Sequence, residues 1–125
     1  SIEKILMALF SDIQTKLIDG GDHSVTFAAS ASTSSVLDMT ASPLGFIFPS
    51  GFPTAVITFE VSLDGTNFNT FVDGYTGLAI TVNAVADSQC RVSPADFVGV
   101  KSIRLMSSVA PSVDSVVQVV CGIIL

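Results

Sequence analysis

The sequence is poor in the side chains that do most chemistry. It holds one histidine, two cysteines, one tyrosine and no tryptophan in 125 residues. Cys90 and Cys121 fit no metal-ligand spacing. Charge is scarce as well: 13% of residues are Asp, Glu, Lys or Arg, about half the share in an ordinary domain. Only five are basic, the formal net charge is -6, and no basic cluster occurs. The electrostatic footprint of a nucleic-acid binder is therefore missing. No apolar run approaches the ~18 residues of a membrane-spanning helix. Gly-rich phosphate loops, Cys/His clusters and paired-carboxylate motifs are absent too. An enzyme is not expected, and neither is a cofactor or a metal.

Apolar residues are plentiful. They make up 49% of the chain, and the mean hydropathy is +0.68. At this length the chain is one domain, large enough for a core without staples. The apolar excess must face that core or another protein, and oligomerisation is the simpler destination. The N-terminus does not read as a signal peptide, because Glu3 and Asp12 interrupt its apolar positions. Synthesis in a reducing cytoplasm is expected.

The first seventeen residues carry helical spacing. Ile2, Ile5, Leu6, Leu9, Phe10, Ile13 and Leu17 recur at three and four, forming one apolar stripe. Ser1 is placed to cap it, and Gly20-Gly21 to end it. Such a stripe packs on its own sheet or docks on a neighbouring subunit. Seven apolar positions exceed what covering one sheet edge needs, so residues 1–20 are expected to be a docking or assembly element. Leu6, Leu9, Phe10 and Ile13 are its contact residues.

From residue 21 onward the period becomes two. His23, Val25 and Phe27 share one face. Short strands follow in "SVLDMT" and "LGFIFP", with Pro43 and Pro49 as breakers. In "ITFEVSLDGTNFNTF", Ile57, Phe59, Val61 and Leu63 face one way; Val56, Thr58, Glu60 and Ser62 face the other. Asp64-Gly65 supplies the positive φ of a hairpin turn. "LAITVNA", "SQCRVS", "VKSIRLMSS" and "SVVQVVCGIIL" complete the set. Turns every ~8–12 residues indicate an all-β sandwich or barrel. In the last segment Val116, Val120 and Ile124 lie opposite Val117, Val119, Cys121 and Ile123. A strand apolar on both faces is central or covered by something else, which makes Val116, Val120 and Ile124 interface candidates.

Each candidate reactive residue has a structural explanation. His23 lacks the nucleophile and orienting acid of a general base; it starts a strand. Asp64, Asn67, Asn69 and Asp73 could offer oxygens to calcium, but the EF-hand spacing and its closing Glu are missing. Turn chemistry accounts for Asp64 and Asn67 without a metal. Cys90 and Cys121 read as buried free thiols. Arg91 and Arg104 are placed to pair with Glu60 or Asp87 across a sheet. Phe59, Phe68, Phe71 and Phe97 are expected between two sheets, and Gly99 in a turn.

The segments "PLGFIFPSGFPTAVITFEVSLDGTNFNTFVD", "ITVNAVADSQCRVSPADFVGVKSIRLMSS" and "VVQVVCGIIL" together resemble a pattern found in small structural proteins of tailed bacteriophages. The positions carrying it are Gly45 to Pro49, Thr58-Phe59, Ser62, Asp64-Gly65, Phe68, Asp73, Pro94, Phe97, Gly99, Arg104, Leu105 and Ser107. They span roughly residues 24 to 125 and are framework positions, so no catalytic or ligand residue carries over. The N-terminal stripe lies outside the pattern.

The expected fold is mainly β: an antiparallel, jelly-roll-like β-sandwich over residues 21–125 with one N-terminal α-helix over 1–20. The resemblance implies a virion component, foremost a capsid decoration or cement protein bridging capsomers. A neck, tail or fibre component is the alternative. A homotrimer bound to the major capsid protein or another virion protein, on the capsid surface, fits that role; nucleic acid and membrane are not expected partners. A carbohydrate-binding sandwich is a third reading, weakened by the lack of Trp and by Tyr75 being the one tyrosine.

Overall fold

The computed structural model describes residues 23–39 and 41–122. The helix expected over the first seventeen residues, and with it Leu6, Leu9, Phe10 and Ile13, lies outside them, as does Ile124. The described chain is mainly β, with antiparallel pairing throughout. Nine strands form: β1 (Ser24–Phe27), β2 (Leu37–Asp38), β3 (Ser42–Ile47), β4 (Ala55–Ser62), β5 (Asn69–Thr70), β6 (Thr81–Ala84), β7 (Gln89–Arg91), β8 (Ser102–Ser107) and β9 (Ser115–Gly122). A 3-10 turn spans Pro94–Phe97.

Two sheets result. One has the order β1-β9-β3-β7; in the other, β4 lies between β8 and a shared edge made by β5 and β6, with β2 outside β8. The final strand is thus central, as its two-faced apolar pattern requires. Val25↔Val117 and Phe46↔Val119 set the register on its two sides. That register turns Val117, Val119 and Cys121 inward and Val116, Gln118 and Val120 outward.

One buried cluster draws on both sheets. Val25, Phe27, Phe46, Val117 and Val119 come from the first; Ile57, Phe59, Ile103 and Leu105 from the second. The Phe46 and Phe59 rings join them at 5.5 Å between centroids. Phe97 meets Phe59 edge-on at 5.3 Å, and Phe71 packs on Phe97 at 5.2 Å. Offset and edge-on ring pairs of this kind add ~0.5–1.5 kcal/mol each beyond the area they bury.

Three local expectations are corrected. Pro43 does not break a strand; it lies within β3, fully buried, where the pairing with β9 shifts between Pro43 and Gly45. A bulge tolerates proline because the ladder is already interrupted there. In β4 the alternation gives out at its end: Ser62 is buried and Leu63 is exposed. The Ser62 hydroxyl explains this, since it donates to Asp64 Oδ1 at 2.9 Å and accepts the Gly65 N–H at 2.8 Å. Phe68 is not between the sheets. It lies under the Arg104 guanidinium, 4.7 Å from its ring centroid.

Candidate interaction surface

On the outward face of the four-stranded sheet the central strand presents two valines on either side of Gln118, and the border is polar. Val116 and Val120 are 49% and 37% exposed on the central strand. The register places Gly45 beside Val120 and Ile47 beside Gln118, with Arg91 and Gln89 next on β7. On the far side Ser24 and Thr26 complete the border. At the bulge the extra residue, Leu44, joins Gly45 opposite Val120. The result is a shallow hollow of about 520 Å³ lined by Leu44, Gly45, Ile47, Gln89, Arg91 and Val120.

Gly45 makes that hollow. A Cβ there would come within 2.5 Å of the Cys90 carbonyl oxygen, closer than any side chain permits. A glycine inside an apolar strand is the sequence signal for such a close backbone approach, and "LGFIF" carries it. The expectation about Pro43 and Pro49 passed over it.

Other exposed apolar side chains lie on turns. Tyr75, Leu63, Leu78 and Val98 are 102%, 73%, 69% and 68% exposed. Their turns are tightly hydrogen-bonded. Asp73 Oδ1 accepts the N–H of Tyr75 at 2.7 Å and of Thr76 at 3.3 Å. The Asp73 N–H donates to the Leu78 carbonyl, and the Gly77 N–H to the Asp73 carbonyl, both at 2.8 Å. Leu78 N–H donates to Thr76 Oγ1 at 3.2 Å. The Val72↔Ala79 bridge closes this hairpin. Gly77 adopts φ +72 and Gly99, after Val98, φ +86, conformations that favour glycine.

Asp64 holds the turn beside Leu63. Its Oδ1 accepts the Asn67 and Thr66 N–H groups at 2.8 Å, and Oδ2 accepts Asn67 Nδ2 at 2.7 Å. The Asn67 and Thr66 N–H groups, then the Asn67 amide and Ser62 hydroxyl, keep the Asp64 carboxyl well below the usual carboxylate range. Of the four residues weighed for calcium, Asp64 and Asp73 thus direct carboxylate oxygens at turn N–H groups. No cluster of three or more His, Cys, Asp or Glu suited to a metal occurs among the described residues.

The other candidates are structural in placement. His23 is half-buried at the entry to β1, and its carbonyl accepts the Val119 N–H at 2.8 Å. Cys121 is buried and Cys90 half-buried, both free. Burial pushes the Cys121 thiol up to about 11 and raises Cys90 as well, so neither is an activated nucleophile. Arg104 pairs with its cross-strand neighbour Glu60 at 2.6 Å. Arg91 lies at the rim of the hollow, away from that pair. Among the described residues no buried side-chain polar atom lacks a hydrogen-bond partner. The interior that these residues form therefore presents no orphaned group aimed at a ligand.

No protein-family model matches the chain, and neither a curated protein nor a solved structure matches it.

Proposed function

We propose that this protein is a non-enzymatic structural component of a bacteriophage virion, a capsid decoration protein that bridges capsomers from outside. In this reading the two sheets face each other as an antiparallel, jelly-roll-like β-sandwich, and the copies form a homotrimer on the major capsid protein. The observation that carries the reading is the set of apolar side chains held out on rigid turns. Tyr75 and Leu78 project from a hairpin whose backbone groups are already bonded. Ordering a loop before binding removes a large part of the association cost. Low charge and the framework resemblance to phage structural proteins support the same reading.

A cement protein works by adding buried interface where a shell would split. It needs a stiff body and adhesive tips, and no reaction. Labelled protein on intact particles should map to the shell. Label confined to neck, tail or fibre would move the assignment there, and particles without label would end both. Light scattering at micromolar protein should return a trimer; a monomer mass overturns that count. Specific binding on a glycan array would instead make Tyr75 a sugar platform.

A further inference from the structure

On the outward face of the four-stranded sheet nothing among the described residues covers Val116 and Val120, which flank Gln118, or the hollow at Gly45. We infer that the occupant of this face is the chain's own N-terminal segment, with the stripe Ile2, Leu6, Leu9, Phe10 and Ile13 seated over Val116, Val120 and the Gly45 hollow. This goes beyond the virion reading and stands without it. It also departs from the expectation that the stripe docks on a neighbour.

Three observations lead there. The first is where the chain enters. The His23 carbonyl accepts the Val119 N–H at 2.8 Å, so the described chain begins beside Val119, level with the end of β9 that holds the hollow, and residues 1–22 precede that point in sequence. The second is reach. Gly20-Gly21 stand just before that entry and permit a reversal onto the face. A seventeen-residue helix would be about 25 Å long, against roughly 15 Å across four strands. A tether this short holds the segment at an effective concentration on the order of millimolar, which favours its own face over another copy's.

The third is chemical match. The hollow has an apolar floor of Leu44, Ile47 and Val120, with Arg91 at its rim. The segment offers the apolar stripe, and its Glu3, Asp12, Asp19 and Asp22 outnumber Lys4 and Lys16. An apolar centre with a charged border is how buried contacts are usually built.

Amide hydrogen exchange on the full-length chain tests the contact. Residues 2–17 should be protected, and V116D/V120D should lower that protection by about tenfold or more while β4 and β8 keep theirs. Full exchange of residues 2–17 in the unaltered protein, or protection indifferent to the double change, would overturn the inference. If V116D/V120D does not fold, L9D/F10D reads the same contact from the segment's side and should give the same loss. Leu6, Leu9, Phe10 and Ile13 are then each changed to Cys alongside V120C in a C90A background and oxidised mildly. A disulfide within one chain is expected from at least one pair. Bonds between chains only, or none from any pair, would overturn the own-chain occupant. Particle labelling fails or succeeds independently of both measurements.

Discussion

The two sheets share one core but finish their outward faces differently. On the five-stranded sheet the outward positions are mostly polar and satisfied locally. Arg104 pairs with Glu60 and stacks over Phe68. Ser102 donates to Asp38 at 2.7 Å, and Thr33 Oγ1 reaches Met106 Sδ at 3.3 Å. On the four-stranded sheet Val116, Val120, Ile47 and Leu44 face outward around a glycine hollow. The first face keeps one well-exposed aliphatic on β4, Val56, among bonded polar groups. The second shows Val116 and Val120 on either side of Gln118. The inward faces do not distinguish the sheets, so the difference lies in the outward ones.

Removing what the sheets share should have the largest effect. Phe59→Ala deletes the ring that meets both Phe46 and Phe97, and the loss should be about 3–5 kcal/mol in a urea or thermal unfolding series. Both sheets should lose exchange protection together; independent loss would mean that they are separate units. Gly45→Ala comes next, because its Cβ collides with the Cys90 carbonyl. A cost of about 1–3 kcal/mol is expected, with loosening confined to β7 and β3.

On the polar face the effects should be smaller. Arg104→Ala removes a partly solvated ion pair and a ring contact, for about 0.5–1 kcal/mol. A double-mutant cycle with Glu60→Gln should assign no more than about 1 kcal/mol to the pair itself. The smallest change should come from Asp64→Ala, and it should appear as pH dependence. The folded carboxyl is held low by the turn's N–H groups. Its contribution is therefore complete above the ordinary aspartate value of about 4 and fades as pH falls through the lowered folded value. Unfolding midpoints followed into acid should flatten in the variant relative to the parent.

Much of this was legible in the chain. Alternation placed Val25, Phe27, Ile57 and Phe59 inside. Asp64-Gly65 marked a turn, Gly65 taking φ +84. The two-faced last segment signalled a central strand, and Arg104 found Glu60. The misreadings share a cause. Pro43, Ser62, Leu63 and Phe68 were read by local rules, yet their places are set by partners elsewhere: a bulge against β9, a turn's hydrogen bonds, and an arginine on β8. The hollow was harder still, since it needs Gly45, Arg91 and Val120 to meet from three strands. The glycine gave a hint, but which backbone it approaches depends on strand order, which periodicity does not encode.

The position of β9 also dictates a timetable. It holds β1 on one side and β3 on the other, yet it is the last of the nine to leave the ribosome. β4, β5 and β6 are close in sequence and can pair early; the four-stranded sheet cannot close until β9 arrives. Until then β1 has no ladder partner, and β3 has β7 on one side and an open edge on the other. Pairings this distant along the chain place folding in the slow range, about milliseconds to seconds. The nascent molecule is therefore prone to sticking to its neighbours just before β9 is made.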